Sequence, residues 1–391
     1  MSNLPAIALP ANFRIDEVKA VSAAAHAEIQ VDAPLGPLAA FTGTWSGKGF
    51  NTIFRPDSPK TPTVFPVPVA SSDNVLELNL TTEDLAFSSP LGNVPNRGMV
   101  QADVFLNGVP YVQSISDVTT PGQSVAIHFE PGIWLCVPGT EDPAEGQTVA
   151  RMASIPHGTT INAQGTSAVI NGKPNIPAVS ITPFVTNTPA DLIRFPSQTA
   201  TDKTTPRIPQ DLTSYIAAGT ITQAILDDPN TVLRDAIAGL NITSTTVINI
   251  STQPAAPLFG GGTDNIAFLL GDAAALTNPG NPGQNAQTVK MNATFWIETV
   301  EHVIIVPPFK PGQPPLHLSP ELPNGFKGPA PKFEVTPPKE IAAPVHITVK
   351  STQLQYSQIV FLNFNGLTWP HVSVATLVPS QAVAVPPSAW A

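Results

Sequence analysis

The chain has 391 residues and a formal net charge of −10. Only 12% of its residues are charged, while 42% are apolar, and no basic run is present. That composition excludes a solvated coiled coil and a charge-driven disordered chain, and it leaves a nucleic-acid binder without the clustered Lys and Arg that phosphate neutralisation requires. The 45 prolines and 26 glycines are spread among apolar stretches, so many corners and edges are expected and a long all-α architecture is not.

The lone cysteine, Cys136, rules out an internal disulfide framework and a cysteine-based zinc cluster. It suits a reducing compartment. The first twenty residues lack the basic and apolar regions of a signal peptide, and no uncharged apolar run reaches 18 residues. The expectation is a cytoplasmic protein with no membrane span and no nucleic-acid partner; its oligomeric state is not legible.

In chain order, residues 12–30 carry apolar positions at helical spacing, giving a helical extension over 1–37 before a single large domain over 38–391. From Phe41 to about Val185 the segments are β-branched and aromatic, separated by Gly, Pro, Asn or Asp. They include VLELNL, DVFLNGVPYVQSISDV, SVAIHFEPGIWLCV, TVARMASI and AVSITPFV. Asn107-Gly108 is the strongest hairpin signal. Residues 186–240 switch to helical spacing over 211–219 and 228–240, with Pro229 in the first turn of the second helix. Strand patterns then resume (TSTTVINIS, NIAFLL, VKMNATFWIETVEHVIIV, HITVKSTQLQYSQIVFLNF, LTWPHVSVATLV). They are interrupted between Pro307 and Pro344 by a proline-rich loop without periodicity. The fold class expected is mainly β: an antiparallel barrel with an N-terminal helix, a helical insertion over about 186–240 and long proline-rich loops.

Three strand patterns bear on chemistry. In Gly43-Thr-Trp45-Ser-Gly47-Lys-Gly49 the glycines and the tryptophan share one face, which allows the coiling and close backbone approach that a small closed barrel needs. In His128-Phe-Glu130-Pro-Gly132-Ile-Trp134 the polar pair shares one face, either facing solvent or lining a cavity. A third, Arg151-Met-Ala-Ser-Ile-Pro-His157, sets an arginine among apolar neighbours. There it would meet a carboxylate of the protein or of an acidic ligand. Glu298, Glu301 and His302 are expected on a solvated face. No Gly-x-Ser-x-Gly elbow, His-Glu-x-x-His pair or Walker loop occurs.

A Gly-x-Trp-x-Gly-x-Gly strand followed by Tyr111-Val-Gln113 and then His-x-Glu-x-Gly-x-Trp resembles the nitrobindin family over residues 41–135. Its members are haem-binding barrels of the lipocalin-like, or calycin, type, and are much shorter than this chain. The resemblance implies haem b (heme b) in the barrel mouth, with reactivity toward nitric oxide or peroxynitrite. Carried over to this sequence, it places His128 on the distal side and makes His371 the proximal, metal-ligating candidate. Tyr111, Trp134, Arg151 and His157 are the candidate ligand contacts. Two other functions stay open on the residues alone. One is a haem-free carrier or enzyme holding a small hydrophobic or amphipathic carboxylate in the lumen. The other is a structural or interaction protein using its insertion and proline-rich loop as partner surfaces.

Overall fold

A computed structural model describes residues 33–390 apart from 143, 256–257, 259 and 266–284. The helix expected over 12–30 and the end of the NIAFLL strand lie outside the described residues.

Ten strands form the wall: β1 Thr44–Pro56, β2 Asn74–Phe87, β3 Val104–Asp117, β4 Val125–Val137, β5 Thr148–Ser154, β6 Thr159–Asn171, β7 Asn241–Ser251, β8 Gln287–Val306, β9 Val345–Phe364 and β10 Leu367–Pro379. Each pairs antiparallel with its sequence neighbours, and β10 closes on β1. The barrel is therefore a closed meander, and an even strand number lets every seam be antiparallel. Closure removes the sheet edges that would otherwise template aggregation.

Side chains alternate across this wall. Trp45, Leu85, Val109, Trp134, Ala163, Phe295, Leu354 and Leu377 fill the interior, joined by Leu38 and Phe41 from the segment that leads into β1. Phe50, Phe54, Leu78, Trp296 and Val374 point outward. The glycines of the first strand serve the close approach that their spacing suggests. A Cβ on Gly47 would sit 2.0 Å from the Thr376 carbonyl oxygen, and one on Gly49 would sit 2.2 Å from that of Val374. Between them and Gly43, Trp45 is 4% exposed and donates its indole N–H to the Thr42 carbonyl at 2.8 Å.

Part of the outward face is covered. Between β6 and β7 the chain leaves the wall and forms α1 Thr213–Ala217, α2 Gln223–Asp227 and α3 Thr231–Ala236. Ile225, Leu226 and Leu233 from these helices pack in the same apolar cluster as Trp369 and Val374. The helices are shorter than the periodicity over 211–219 and 228–240 predicts, and α2 was not signalled. Gly219, Pro229 and Gly239 interrupt the run, while the Thr222 hydroxyl accepts from the Ile225 N–H to start α2.

Two further expectations are corrected. Asn107-Gly108 is not a hairpin: both residues lie inside β3. Gly108 is required there because a Cβ would lie 2.3 Å from the Trp134 carbonyl, and the buried Asn107 amide donates to the Ala33 carbonyl at 2.6 Å. In AVSITPFV only Phe184–Val185 is strand, added to the edge of β10. The proline-rich stretch carries short strands at Leu316–Leu318 and Phe333–Val335. With Val383–Ala384 they cover a satellite core of Ile304, Val306, Phe309 and Val349 on β8, β9 and the loop. Among the described residues no helix is long and apolar enough to cross a membrane.

Candidate functional site: a polar lumen below a histidine mouth

The barrel interior changes character along its axis. One end is an apolar plug, in which Trp134 makes edge-on contacts with Phe41 and Phe295 at centroid distances of 5.5 and 5.0 Å. Above it lies a buried polar layer. Arg151, 2% exposed, is held by the Glu130 carboxylate, the Tyr111 hydroxyl and the Gln358 amide oxygen. Its Nη2 donates to Glu130 Oε1 at 2.5 Å, Nε to Tyr111 Oη at 2.8 Å and Nη1 to Gln358 Oε1 at 2.7 Å. Tyr111 in turn donates to Glu130 Oε1. The guanidinium also lies 5.3–5.6 Å from the ring centroids of Tyr111, Trp134 and Phe295, so aromatic faces replace part of its lost hydration. Gly132 makes this possible, because a Cβ there would be 2.6 Å from the Tyr111 hydroxyl.

Of the two carboxylic acids in this layer, only one has a cationic partner within it. Burial opposes the charge on Glu130, yet Arg151 and the hydrogen bonds from His128 and Tyr111 hold its pKa below the usual carboxylate range. Glu83, 2% exposed, has no such partner. It accepts from Gln113 Nε2 at 2.5 Å and from the Tyr356 hydroxyl at 2.8 Å, and burial pushes its pKa up to about 7. Burial likewise keeps both phenols protonated, well above their usual range.

At the mouth the lumen presents three imidazoles. His128, on β4 above Glu130, has its Nε2 3.2 Å from Glu130 Oε2. Its ring meets that of His157 edge-on at 5.2 Å, the latter presented by the β5–β6 turn. His371 on β10 shares the inward face of Ala375 and Leu377. β1, β2 and β3 lie between β10 and β4 on one side of the ring and five strands on the other, so His371 and His128 face each other across the lumen. Asn51 on β1 donates its Nδ2 to His371 Nε2 and to Ser373 Oγ, both at 2.8 Å, and accepts from Asn79 Nδ2 at 3.3 Å. Burial, and then the charges of His128 and His157, push the His371 pKa down to about 4, so at neutral pH it is an uncharged imidazole. Pro370 leaves this arrangement intact, because β9–β10 pairing runs through it without a register shift and β1 pairing ends at Val372.

The candidates read from sequence are thus distributed over three levels. His128, His157 and His371 meet at the mouth, Tyr111 and Arg151 lie in the layer beneath, and Trp134 belongs to the plug. Asn51, Glu83, Tyr356, Gln358 and Ser373 were not singled out from sequence. Parity was the one available signal: Asn51 follows Gly49 by two positions, Glu83 precedes Leu85 by two, and Ser373 follows His371 by two.

The solvated face expected for Glu298 and His302 is overturned. Both point outward from β8, but the outer wall is covered there. Glu298 is fully buried, accepts from Gln353 at 2.6 Å and is pushed up to about 8 by burial. His302 bonds Ser351 at 2.9 Å and packs against Phe333. Glu301 points the other way, 3.3 Å from Lys350. Among the described residues no group of three or more His, Cys, Asp or Glu is arranged to hold a metal ion.

No family model and no curated protein matches the chain. Among solved structures, it is similar to the one described as the crystal structure of Rv2717c from M. tuberculosis, at 12% identity over 89% of this chain and 99% of that one, with a TM-score of 0.34.

Proposed function

We propose that the protein is a calycin-type, nitrobindin-like barrel, formed by residues 38–391, whose mouth holds haem b through His371. The observation that carries this reading is the pair of inward imidazoles, His371 and His128, facing each other across the lumen, with His371 uncharged and so able to offer a ring nitrogen lone pair. The donor chemistry fits the group. The flanking wall is apolar as well, since the buried Ile115 pairs with His128 and the buried Val360 pairs with His371. A ferric haem held there would supply iron chemistry directed at nitric oxide or peroxynitrite.

The residues of the chain have separate tasks in this reading. His371 ligates, and Ser373 and Asn79 hold the Asn51 amide that must release Nε2 for it to do so. His128, hydrogen-bonded to Glu130 and with His157 beside it, would face the bound group from across the lumen. Arg151 is not free to grip a ligand carboxylate without breaking its bonds to Glu130, Tyr111 and Gln358. That favours the haem reading over a haem-free carrier anchored on Arg151.

Hemin titration followed at the Soret band tests it. The wild type should give a saturable Soret shift that is lost or weakened at least tenfold in His371→Ala, with the circular dichroism of the two proteins matched. Asn51→Ala, which leaves Nε2 without its hydrogen bond, should bind hemin at least as tightly as the wild type. Equal shifts in wild type and His371→Ala, or none in either, would overturn the proposal.

A further inference from the structure

One groove stands outside the lumen. It lies on the outer wall across β6–β9, between the insertion and the loop that follows β7, and encloses about 670 Å³. That is within the ~300–1,000 Å³ typical of small-molecule sites. We infer that this groove is a binding site for a neutral, polyhydroxylated ligand of the mono- or disaccharide class.

Register explains its chemistry. Gln164, Ser251, Asn292 and Ile359 stand side by side on four successive strands. One step along the wall, Thr166, Asn249, Thr294 and Ser357 do the same. All eight line the groove, so its floor is a grid in which seven side chains are hydroxyls or amides and one, Ile359, is apolar. Within each row a hydroxyl fixes an amide. Ser251 Oγ accepts from the Gln253 N–H at 3.0 Å, so its proton goes to Asn292 Oδ1 at 2.8 Å. The Thr294 hydroxyl donates to Asn249 Oδ1 at 2.8 Å. Both amides therefore present their NH₂ groups as donors.

Two lining residues carry an acceptor without a partner, Asn230 from the insertion and Ser357 from the floor. Asn230, from the insertion, is 1% exposed and spends its Nδ2 on the Pro177 carbonyl at 2.7 Å. Its Oδ1 has no partner among the described residues, and neither has Ser357 Oγ. A sugar hydroxyl is at once donor and acceptor, so it matches a mixed set of this kind.

The remaining surfaces narrow the class. Pro177, Val179, Ile359 and the edge of Trp296 supply apolar contact for the C–H faces of a ring. Among the described residues no lysine or arginine lines the groove, and the one ionisable side chain there is Glu145. A phosphate or carboxylate ligand would thus meet no cation and one carboxylate, which rejects anions and leaves neutral ligands.

Saturation-transfer NMR and calorimetry with glucose, galactose, N-acetylglucosamine, maltose and cellobiose test this on the full chain. At least one should bind in the micromolar to millimolar range. The partly or fully exposed substitutions Asn249→Ala and Asn292→Ala should each weaken it at least fivefold, while His371→Ala, in the lumen on the other side of the wall, leaves it unchanged. Binding to none of the five, binding indifferent to Asn249→Ala and Asn292→Ala, or a preference for glucuronate or glucose 6-phosphate over the neutral sugars would overturn the inference.

Discussion

Glu83 is where the interior of this barrel holds a charge it cannot balance. The layer contains two carboxylic acids and one guanidinium, and Arg151 is committed to Glu130. Glu83 is left with two neutral donors, so burial raises its pKa from 4.5 to about 7. A carboxyl raised on folding binds more protons in the native state than in the unfolded one. Its stabilising effect is complete below pH 4.5 and is lost as pH rises through 7. The difference is worth roughly 3 kcal/mol. Glu83→Gln should therefore remove that fall, so that the urea midpoint of the variant gains on the wild type between pH 5 and 8. A difference independent of pH would show that Glu83 is already charged in the fold. Glu298, at about 8, acts in the same direction in both proteins and cancels in the comparison.

Residue identity also decided what was legible at this scale. The alternation in residues 128–134 correctly groups His128, Glu130, Gly132 and Trp134 on one face, and that face is the lumen. The same alternation cannot say which of two faces is inside when both are covered, and there the expectation of a solvated face for Glu298 and His302 failed. Arg151 illustrates a different limit. Its spacing marks an arginine among apolar neighbours, but nothing local reveals that its carboxylate comes from the protein, 21 residues earlier in the chain.

At the scale of elements, the wall depends on small backbone adjustments and the insertion on one side chain. Asn107-Gly108 has the composition of a type I′ turn, yet tertiary packing against Trp134 keeps it extended, which local propensity could not foresee. The insertion is knit together by Arg207, fully buried. Its guanidinium donates to the carbonyls of Ser197, Thr199, Ala200, Asp202, Pro209 and Gln210 at 2.6–3.3 Å, with no carboxylate among them. Burial lowers its pKa to about 10, so it stays charged at neutral pH, and each carbonyl it serves is otherwise turned inward. Arg207→Met should leave those carbonyls unpaired and open the segment around 196–240 locally. Limited proteolysis should then cut there at least tenfold faster, while the barrel strands stay resistant. Unchanged cleavage would contradict the staple.

For the whole molecule, the low charge content has a structural cause. A closed barrel needs an apolar or paired interior, and here the insertion and the proline-rich loop bury much of the exterior as well. Strands such as β10, buried at nearly every position, then read as continuous apolar runs instead of clean alternations. That is why strand content was legible from sequence, while the lumen-facing set of Glu83, Tyr356 and Gln358 was not: it is assembled from two strands that closure alone brings together. Closure likewise gathers His128, His157 and His371 at one end, from positions up to 243 residues apart.

The haem proposal rests on that gathering. A crystal structure of the protein grown with hemin, with iron located by its anomalous signal, tests it most directly. The account predicts one iron at the barrel mouth, in bonding contact with a ring nitrogen of His371, with His128 on the opposite face of the macrocycle and Asn51 turned away. Iron bound outside the barrel, or a mouth with the Asn51–His371 hydrogen bond intact and no iron, would contradict it.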